Sequence, residues 1–425
     1  MSVIYSTLTS LINKISDEFR RSFLFTLIFT ILGFIEGQWV NSFFKKLYPS
    51  ENFLNFLNKN RILKNHIFNP LIVLFIFAIF LLLALNSVST SLAITLMLAF
   101  AGFFIGSAVI PRYFLNDTRN ILEFKRRDMY SIGFCLILIS IVFFFVSIAS
   151  VGGIPLLKPS IRYLLKPILT MPVFLIIPGT CLVASSYLKD YQDEKITRSQ
   201  ARFRFIFLLA MDCALLLLLG YRTPLLAAFL VIIIIGFYGN IVSLWEVVIG
   251  ALVGVGAIIG IGYFRSLGEL TITSSTSPIY SLQTRADFTL HVLNLLDFIG
   301  GNFGVTHGHM LASSIPGSDL GPRMMVGKLI AWRTEVTITP TLIGQMVVDF
   351  GKVGVFVEMT ILGFILGIGF KLMQKTKNYF YIGIYSLILT YTILGVETGL
   401  LDIQVLVYFA IAIFVYLINI KKSQI

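Results

Sequence analysis

Residues 130–150, YSIGFCLILISIVFFFVSIAS, run for 21 positions without one charged side chain. A bilayer core about 30 Å thick is crossed by roughly 20 apolar residues in a helix that rises 1.5 Å per residue. This stretch has that length and composition. Runs of the same kind recur along the chain, and spans are predicted near 23–40, 67–87, 89–110, 130–150, 168–188, 205–220, 224–238, 242–264, 353–370, 379–397 and 401–420. Glu36 interrupts the first. No run alternates with period two, so a transmembrane β-barrel is excluded, and helices are the remaining way to satisfy backbone groups in lipid. The expected fold is all-α: a polytopic membrane protein of about eleven transmembrane helices with a large, partly helical extracytoplasmic loop. The expected organisation is one integrated domain, with a bundle of about eight helices over 1–264, the loop over 265–352 and the last helices over 353–425.

Composition agrees. The 425 residues are 57% hydrophobic and 13% charged. A soluble core of this size could not enclose so much apolar surface. The net charge of +12 invites a nucleic-acid reading, but the basic residues crowd loops between spans, as cytoplasmic loops do. With the C-terminus inside, on the strength of Lys421 and Lys422, 20 Lys and Arg fall in cytoplasmic segments and 7 in short outer segments. Lys14, Arg20 and Arg21 oppose that orientation and suit an amphipathic segment lying on the membrane. Residues 1–22 lack the apolar core and small-residue cleavage site of a secretory signal. Cys135, Cys181 and Cys213 sit in apolar runs as small packing residues, without the spacing of a zinc site or disulfide framework. Gly250/Gly254, Gly256/Gly260 and Gly363/Gly367 have the spacing that lets helices pack closely. Gly254-Val255-Gly256 lies in a span and is no nucleotide loop.

The polar chemistry gathers in the outer segments. The loop of 88 residues at 265–352 is too long to be structureless inside a compact protein. Within it, residues 285–299 put Phe288, Val292, Leu295 and Ile299 on one face of a predicted helix that stops at Gly300-Gly301. Residues 302–340, rich in Gly, Ser, Pro and Thr, suit an ordered irregular loop. The segment Gly152-Gly153-Ile154-Pro155-Leu156-Leu157-Lys158-Pro159-Ser160-Ile161-Arg162 predicts a fixed non-helical path, with Lys158, Arg162 and Lys166 on it or just after. Such cations also occur as ordinary interfacial anchors. In Gly220-Tyr221-Arg222-Thr223-Pro224, Gly220 is expected to end one helix in the left-handed conformation, and Thr223 to cap the next with Pro224 at its first position. The flanking spans of 16 and 15 residues are short, which would set Arg222 below the outer surface. A guanidinium there costs several kcal/mol unless an anion pairs with it. Asp212 is about 15 Å away along the helix, too far to serve.

The long loop adds Arg265, Arg285, Arg323 and Arg333, and the run Thr306-His307-Gly308-His309. A general base or phosphate ligand fits these histidines better than a metal site, since no carboxylate or cysteine stands beside them. His291 reads as a helix-face residue and His66 as cytoplasmic. Glu335, Asp349, Glu358, Glu397 and Asp402 are acids near the outer face. Asp212 and Glu358 would be the titrating groups of an ion-coupled transporter. Arginine forks match phosphate oxygens in a bidentate way, so the constellation favours a polyanionic substrate close to lipid.

Three stretches carry a resemblance: GGIPLLKPSIR at 152–162, GYRTPLLAAFL at 220–230, and THGHMLASSIPGSDLGPRMMVG at 306–327 followed by TEVTITPTLIGQMVVDFGKVGVFVEMTILGFILG at 334–367. In this order they resemble the oligosaccharide repeat unit polymerase (O-antigen polymerase) family, related to the O-antigen ligases, over roughly residues 130–372. The resemblance implies a metal-independent, GT-C-like glycosyltransferase without a cofactor. It would move a growing glycan from a polyprenyl (di)phosphate carrier to a new lipid-linked repeat unit. It implies a polyprenyl-linked oligosaccharide donor and acceptor, membrane lipid and a chain-length regulator as partners, and no nucleic acid. The location implied is the plasma membrane, with the active site on the extracytoplasmic side. It also implies Arg162 and Arg222, and His307 or His309, as functional residues. Taken with the arginines of the long loop, the expected site is His307, His309 and Arg222 as catalytic candidates, one of the two histidines being the base, and Arg162, Arg222, Arg265, Arg285 and Arg323 as ligands of the lipid diphosphate. A ligase or a lipid-linked oligosaccharide flippase remains the alternative.

Overall fold

The computed structural model describes residues 67–114, 126–158, 161, 164–269, 278–315, 317–331, 337–400 and 402–423. The predicted span at 23–40, the basic N-terminal segment, His66, Arg162, Arg333 and Glu335 lie outside the described residues, and of Arg265 only the backbone is described. In chain order the helices are α1 (Ile72–Leu83), α2 (Thr90–Phe104), α3 (Arg126–Val151), α4 (Ile176–Gln192), α5 (Arg198–Leu218), α6 (Arg222–Tyr238), α7 (Leu244–Glu269), α8 (Pro278–Gly300), α9 (Pro322–Ala331), α10 (Thr341–Thr376), α11 (Tyr379–Thr398) and α12 (Ile403–Ser423). One-turn helices stand at Pro111–Phe114, Pro167–Thr170 and His309–Ala312, and α2 runs on through a π-helical turn at Ile105–Val109.

The regular structure of the described residues is all helical, as expected. Among the described residues, five stretches are long and apolar enough to cross a membrane: Thr90–Val109, Asp128–Val151, Pro167–Gln192, Thr341–Thr376 and Tyr379–Thr398. Shorter apolar helices lie at Ile72–Leu83, Arg222–Tyr238, Leu244–Gly256 and Ile403–Ile418. A polytopic membrane protein follows from these, whereas the figure of eleven spans goes beyond them. The outer faces agree: α3 leaves Val142 and Phe145 more than half exposed, as α12 does Ile413, Phe414 and Leu417. Apolar stripes of this extent require lipid or protein against them.

The chain divides into two compact units, Met1–Asn65 with Glu123–Ala251, and His66–Leu122 with Leu252–Ile425. In the first unit α4 is nearly enclosed by α3, α5 and α6. Small residues let α3 and α4 meet backbone to backbone. A Cβ on Gly133 would come 2.8 Å from the Gly179 carbonyl oxygen, and one on Gly179 3.0 Å from that of Gly133. Helix α5 begins with a capping box of Thr197 and Gln200, so it spans 21 residues and α6 spans 17. Both exceed their predicted lengths, yet α6 still falls among the shorter apolar helices.

In the second unit α10 is the central helix, packed by α2, α8 and α11. A Cβ on Gly363 would meet the Phe103 carbonyl oxygen at 2.5 Å, and one on Gly106 the Thr360 carbonyl oxygen at 2.1 Å. Gly102 and Gly367 continue this seam. The expected close packing at Gly363/Gly367 is therefore real. It does not extend to Gly256 and Gly260, whose missing side chains face no described atom within 4 Å. The helix expected at 285–299 is present within α8 and ends at Gly300, with Gly301 at φ +55°. Its inward face is rotated from the one read in the sequence. Of the four predicted residues Val292 is buried, Leu295 and Ile299 are half-buried and Phe288 is exposed, while Ala286, Thr289, Leu290, Leu293, Leu296 and Asp297 are buried. The reason is polar. Asp297 accepts hydrogen bonds from Ser91 Oγ at 2.6 Å and Thr95 Oγ1 at 2.5 Å on α2, and Asp287 and Asn294 accept from backbone N–H groups of residues 85, 86 and 89. Satisfying those groups outweighs burial of one phenylalanine.

Candidate functional site

In the first unit the two short-loop motifs come together. The loop after α3 turns at Gly152, φ +69°, and the Leu156 N–H donates to the carbonyl of Leu218 at 3.1 Å, at the end of α5. Gly220 takes φ +75°, the left-handed stop expected of it. Below this junction Phe144, Leu165, Val173 and Leu219 form a buried cluster against which Leu218 and Tyr221 pack. The Tyr221 ring meets Phe174 edge-on at 5.1 Å. The cap assignment at the turn needs correcting. Tyr221, with no side-chain cap bond, is the N-cap, and Arg222 is itself the first residue of α6. Thr223 is already helical because the Schellman-like bonds Gly220 N–H to Leu217 O, 2.8 Å, and Tyr221 N–H to Leu216 O, 3.3 Å, end α5 early enough for α6 to start at Arg222. A guanidinium at the positive end of a helix dipole is poorly placed for stability and well placed for an anion. Lys158 and Lys166 are exposed on the same loop. Asp212 is fully buried within α5 and accepts from Thr180 Oγ1 of α4 at 3.0 Å.

In the second unit the histidine run forms a loop folded onto a break in α10. Gly351 has φ +66° and ψ −160° inside that helix, a conformation open essentially only to glycine. The break frees carbonyls that the loop uses. Val348 O accepts from the N–H groups of Val305 at 2.8 Å and Thr306 at 3.2 Å, and Asp349 O accepts from His307 at 3.0 Å. The Lys352 N–H returns to Gly301 O at 3.2 Å. Contact is so close that a Cβ on Gly304 would lie 2.2 Å from the Asp349 carbonyl oxygen.

The Asp349 side chain completes the bracket. Its Oδ1 accepts from Thr306 Oγ1 at 2.5 Å, Gly308 N–H at 3.0 Å and Met310 N–H at 2.9 Å, and its Oδ2 from Leu311 N–H at 2.9 Å. It thus caps the one-turn helix His309–Ala312 from another element. Gly308, at φ +94°, and His307, at φ +47°, supply the turn. Both histidine side chains are left exposed. They differ in what they face: His309 lines a cavity of about 490 Å³, with Ser313, Ser318, Asp319, Leu320 and Lys328 among the other walls.

Arg285 and Arg323 each face a carboxylate. Arg285 Nε on α8 binds Glu397 Oε1 on α11, and Arg323 Nη2 on α9 stands 3.2 Å from Asp402 Oδ2 ahead of α12. Glu397 and Asp402, two of the acids expected near the outer face, flank the turn at Gly399. Sequence reasoning set Asp349 among general outer acids and missed its role. The available signal was its place in Asp349-Phe350-Gly351, directly before the helix-breaking glycine. Lys328 and Asp319 were not singled out at all.

Comparison with known proteins bears on both units. The family described as "Putative O-antigen polymerase" matches residues 66–409, a longer stretch than the motifs alone cover. A relative in Methanocaldococcus jannaschii, the uncharacterized protein MJ0419, is 27% identical over 379 residues, covering 87% of this chain and 99% of the relative. No solved structure matches the chain. With most of its length matched, and with the apolar helices and ordered polar loop that such a protein needs, the chain belongs to the O-antigen polymerase family, membrane polymerases of lipid-linked oligosaccharide repeat units.

Proposed function

We propose that this chain is a glycosyltransferase of the plasma membrane that lengthens a surface polysaccharide on the extracytoplasmic side. The acceptor is the terminal sugar hydroxyl of one lipid-linked repeat unit, and the donor is a glycan chain on a polyprenyl diphosphate. His309 takes the hydroxyl proton. The acceptor oxygen then forms a bond to the anomeric carbon of the donor as the bond from that carbon to the carrier phosphate breaks. The bonding pair leaves with the diphosphate, whose growing charge Arg222 stabilises, assisted by Arg162 and Arg265. Arg285 and Arg323, each already facing a carboxylate, hold the outer elements in place.

The observation that carries this reading is His309, exposed at the wall of a cavity that also holds Ser313, Ser318, Asp319 and Lys328, on a loop fixed by main-chain and side-chain bonds. A preorganised base contributes about 10²–10⁴ in rate, and a preorganised donor at a departing oxyanion about 3–4 kcal/mol. His309 is preferred to His307 because His307 does not line the cavity. Deleting the gene and separating the surface glycan on a gel tests the function. Single repeat units in place of a ladder are expected. Loss of all surface glycan, with long lipid-linked chains accumulating, would instead identify a ligase, and loss with single units accumulating on the inner leaflet a flippase.

A further inference from the structure

A carboxylate at the end of an apolar helix segment needs a reason. Asp349 is 1% exposed, and burying an unsatisfied charge costs several kcal/mol. Nothing in α10 itself uses the group: all four of its hydrogen bonds go to residues 306–311. That loop is costly to order, since Gly301, Gly304 and Gly308 are glycines, which lose much entropy when fixed, and His307 is held at a positive φ that a side chain disfavours. An ionised carboxylate has acceptor sites for about four donors, and here four donors converge on it. Two of them, Met310 and Leu311, directly follow His309.

We infer that Asp349 is the positioning residue of the transfer site. It fixes the register of the one-turn helix so that the His309 imidazole stands at the cavity wall, where an acceptor hydroxyl is deprotonated. Asp349 touches neither substrate nor proton and acts through His309 alone. Its neighbour Gly351 makes this possible by breaking α10 just after it, which turns the Val348 and Asp349 carbonyls toward the loop. The inference rests on His309 being the base. Asparagine at 349 keeps the size but offers one acceptor oxygen and sets an NH₂ group against N–H donors. A base misplaced by about 1 Å loses on the order of 100-fold in rate.

The test is a double-mutant cycle on the purified full chain in lipid nanodiscs. The substrate is the polyprenyl-diphosphate-linked glycan extracted from cells lacking this gene. Asp349→Asn is expected to lower kcat roughly 100-fold with KM unchanged, and His309→Ala roughly 10²–10⁴-fold. Combined, they should be no worse than His309→Ala alone, because a positioning residue has nothing left to position. A double variant reduced by the full product of the two factors overturns the inference, as does Asp349→Asn at the normal rate beside an inactive His309→Ala. Full activity in His309→Ala is a separate result that removes the base reading itself. Should Asp349→Asn fail to accumulate in membranes, Thr306→Val decides. It removes a single donor, and its smaller loss must also vanish in the His309→Ala background.

Discussion

Gly351 and Asn302 are in backbone contact: a Cβ at Gly351 would fall 2.2 Å from the carbonyl carbon of Asn302. This contact docks the histidine loop on α10, and it leaves no room for any side chain. Gly351→Ala meets both that clash and a φ, ψ pair that costs about 1–3 kcal/mol for other residues. The expected outcome is a large fall in thermal stability in detergent, or no folded protein in membranes. Unchanged stability would mean that the loop does not dock there.

The seam between α2 and α10 makes a second prediction. Gly106→Leu and Gly363→Leu place bulk where a Cβ alone already approaches a carbonyl oxygen at 2.1 Å and 2.5 Å. Overpacking of this kind costs about 1–3 kcal/mol. Gly256→Ala is the control, with no described neighbour within 4 Å and a gain of up to about 1 kcal/mol from helix propensity. Thermal unfolding monitored by aggregation reads the difference.

Arg222→Ala should abolish the polymer ladder while the protein remains in the membrane at its normal level. Arg222→Lys should restore short chains only, because an ammonium is a point charge without the bidentate fork. Gel separation of the glycan, beside a blot for the protein, checks both. A normal ladder in Arg222→Ala ends the assignment.

Arg323 and Asp402 make the contrasting case. Their pair is partly exposed, so removing it costs at most about 1 kcal/mol, and Arg323→Ala should shorten chains less than Arg222→Ala does. Arg323→Asp sets two carboxylates face to face and should be worse than alanine. Adding Asp402→Arg to Arg323→Asp should then recover chain length. If the exchange recovers nothing, Arg323 works on the substrate and not on Asp402.

Much of the bundle was legible because hydropathy acts residue by residue. The runs at 89–110, 130–150 and 379–397 become α2, α3 and α11 with small shifts at their ends. Gly220 and Gly300-Gly301 were readable because local sterics govern where a helix stops. The inward face of α8 was not, since the bonds of Asp297 to Ser91 and Thr95 span about two hundred positions of chain. Thr223 was misread as a cap because its composition suits one, while the actual helix start is set by how α5 ends. The two histidines were found from residue type, but the distinction between them and the role of Asp349 depend on which loop backbone reaches a broken helix. Asp349-Phe350-Gly351 can mark where the helix breaks, but no local pattern names the loop that docks there.

Helix α10 is interrupted at Gly351 and held at Gly363 and Gly367, so it cannot bend evenly along its length. The stretch below the interruption is locked to α2 like a fixed post, where sliding by even one residue would drive side chains into carbonyl oxygens. The segment Thr341–Asp349 ahead of the interruption is buried at every position, so both halves of α10 are held and only the joint at Gly351 departs from helical geometry. The histidine loop is bonded to that joint through the Val348 and Asp349 carbonyls and the Lys352 N–H, so loop and joint form one unit.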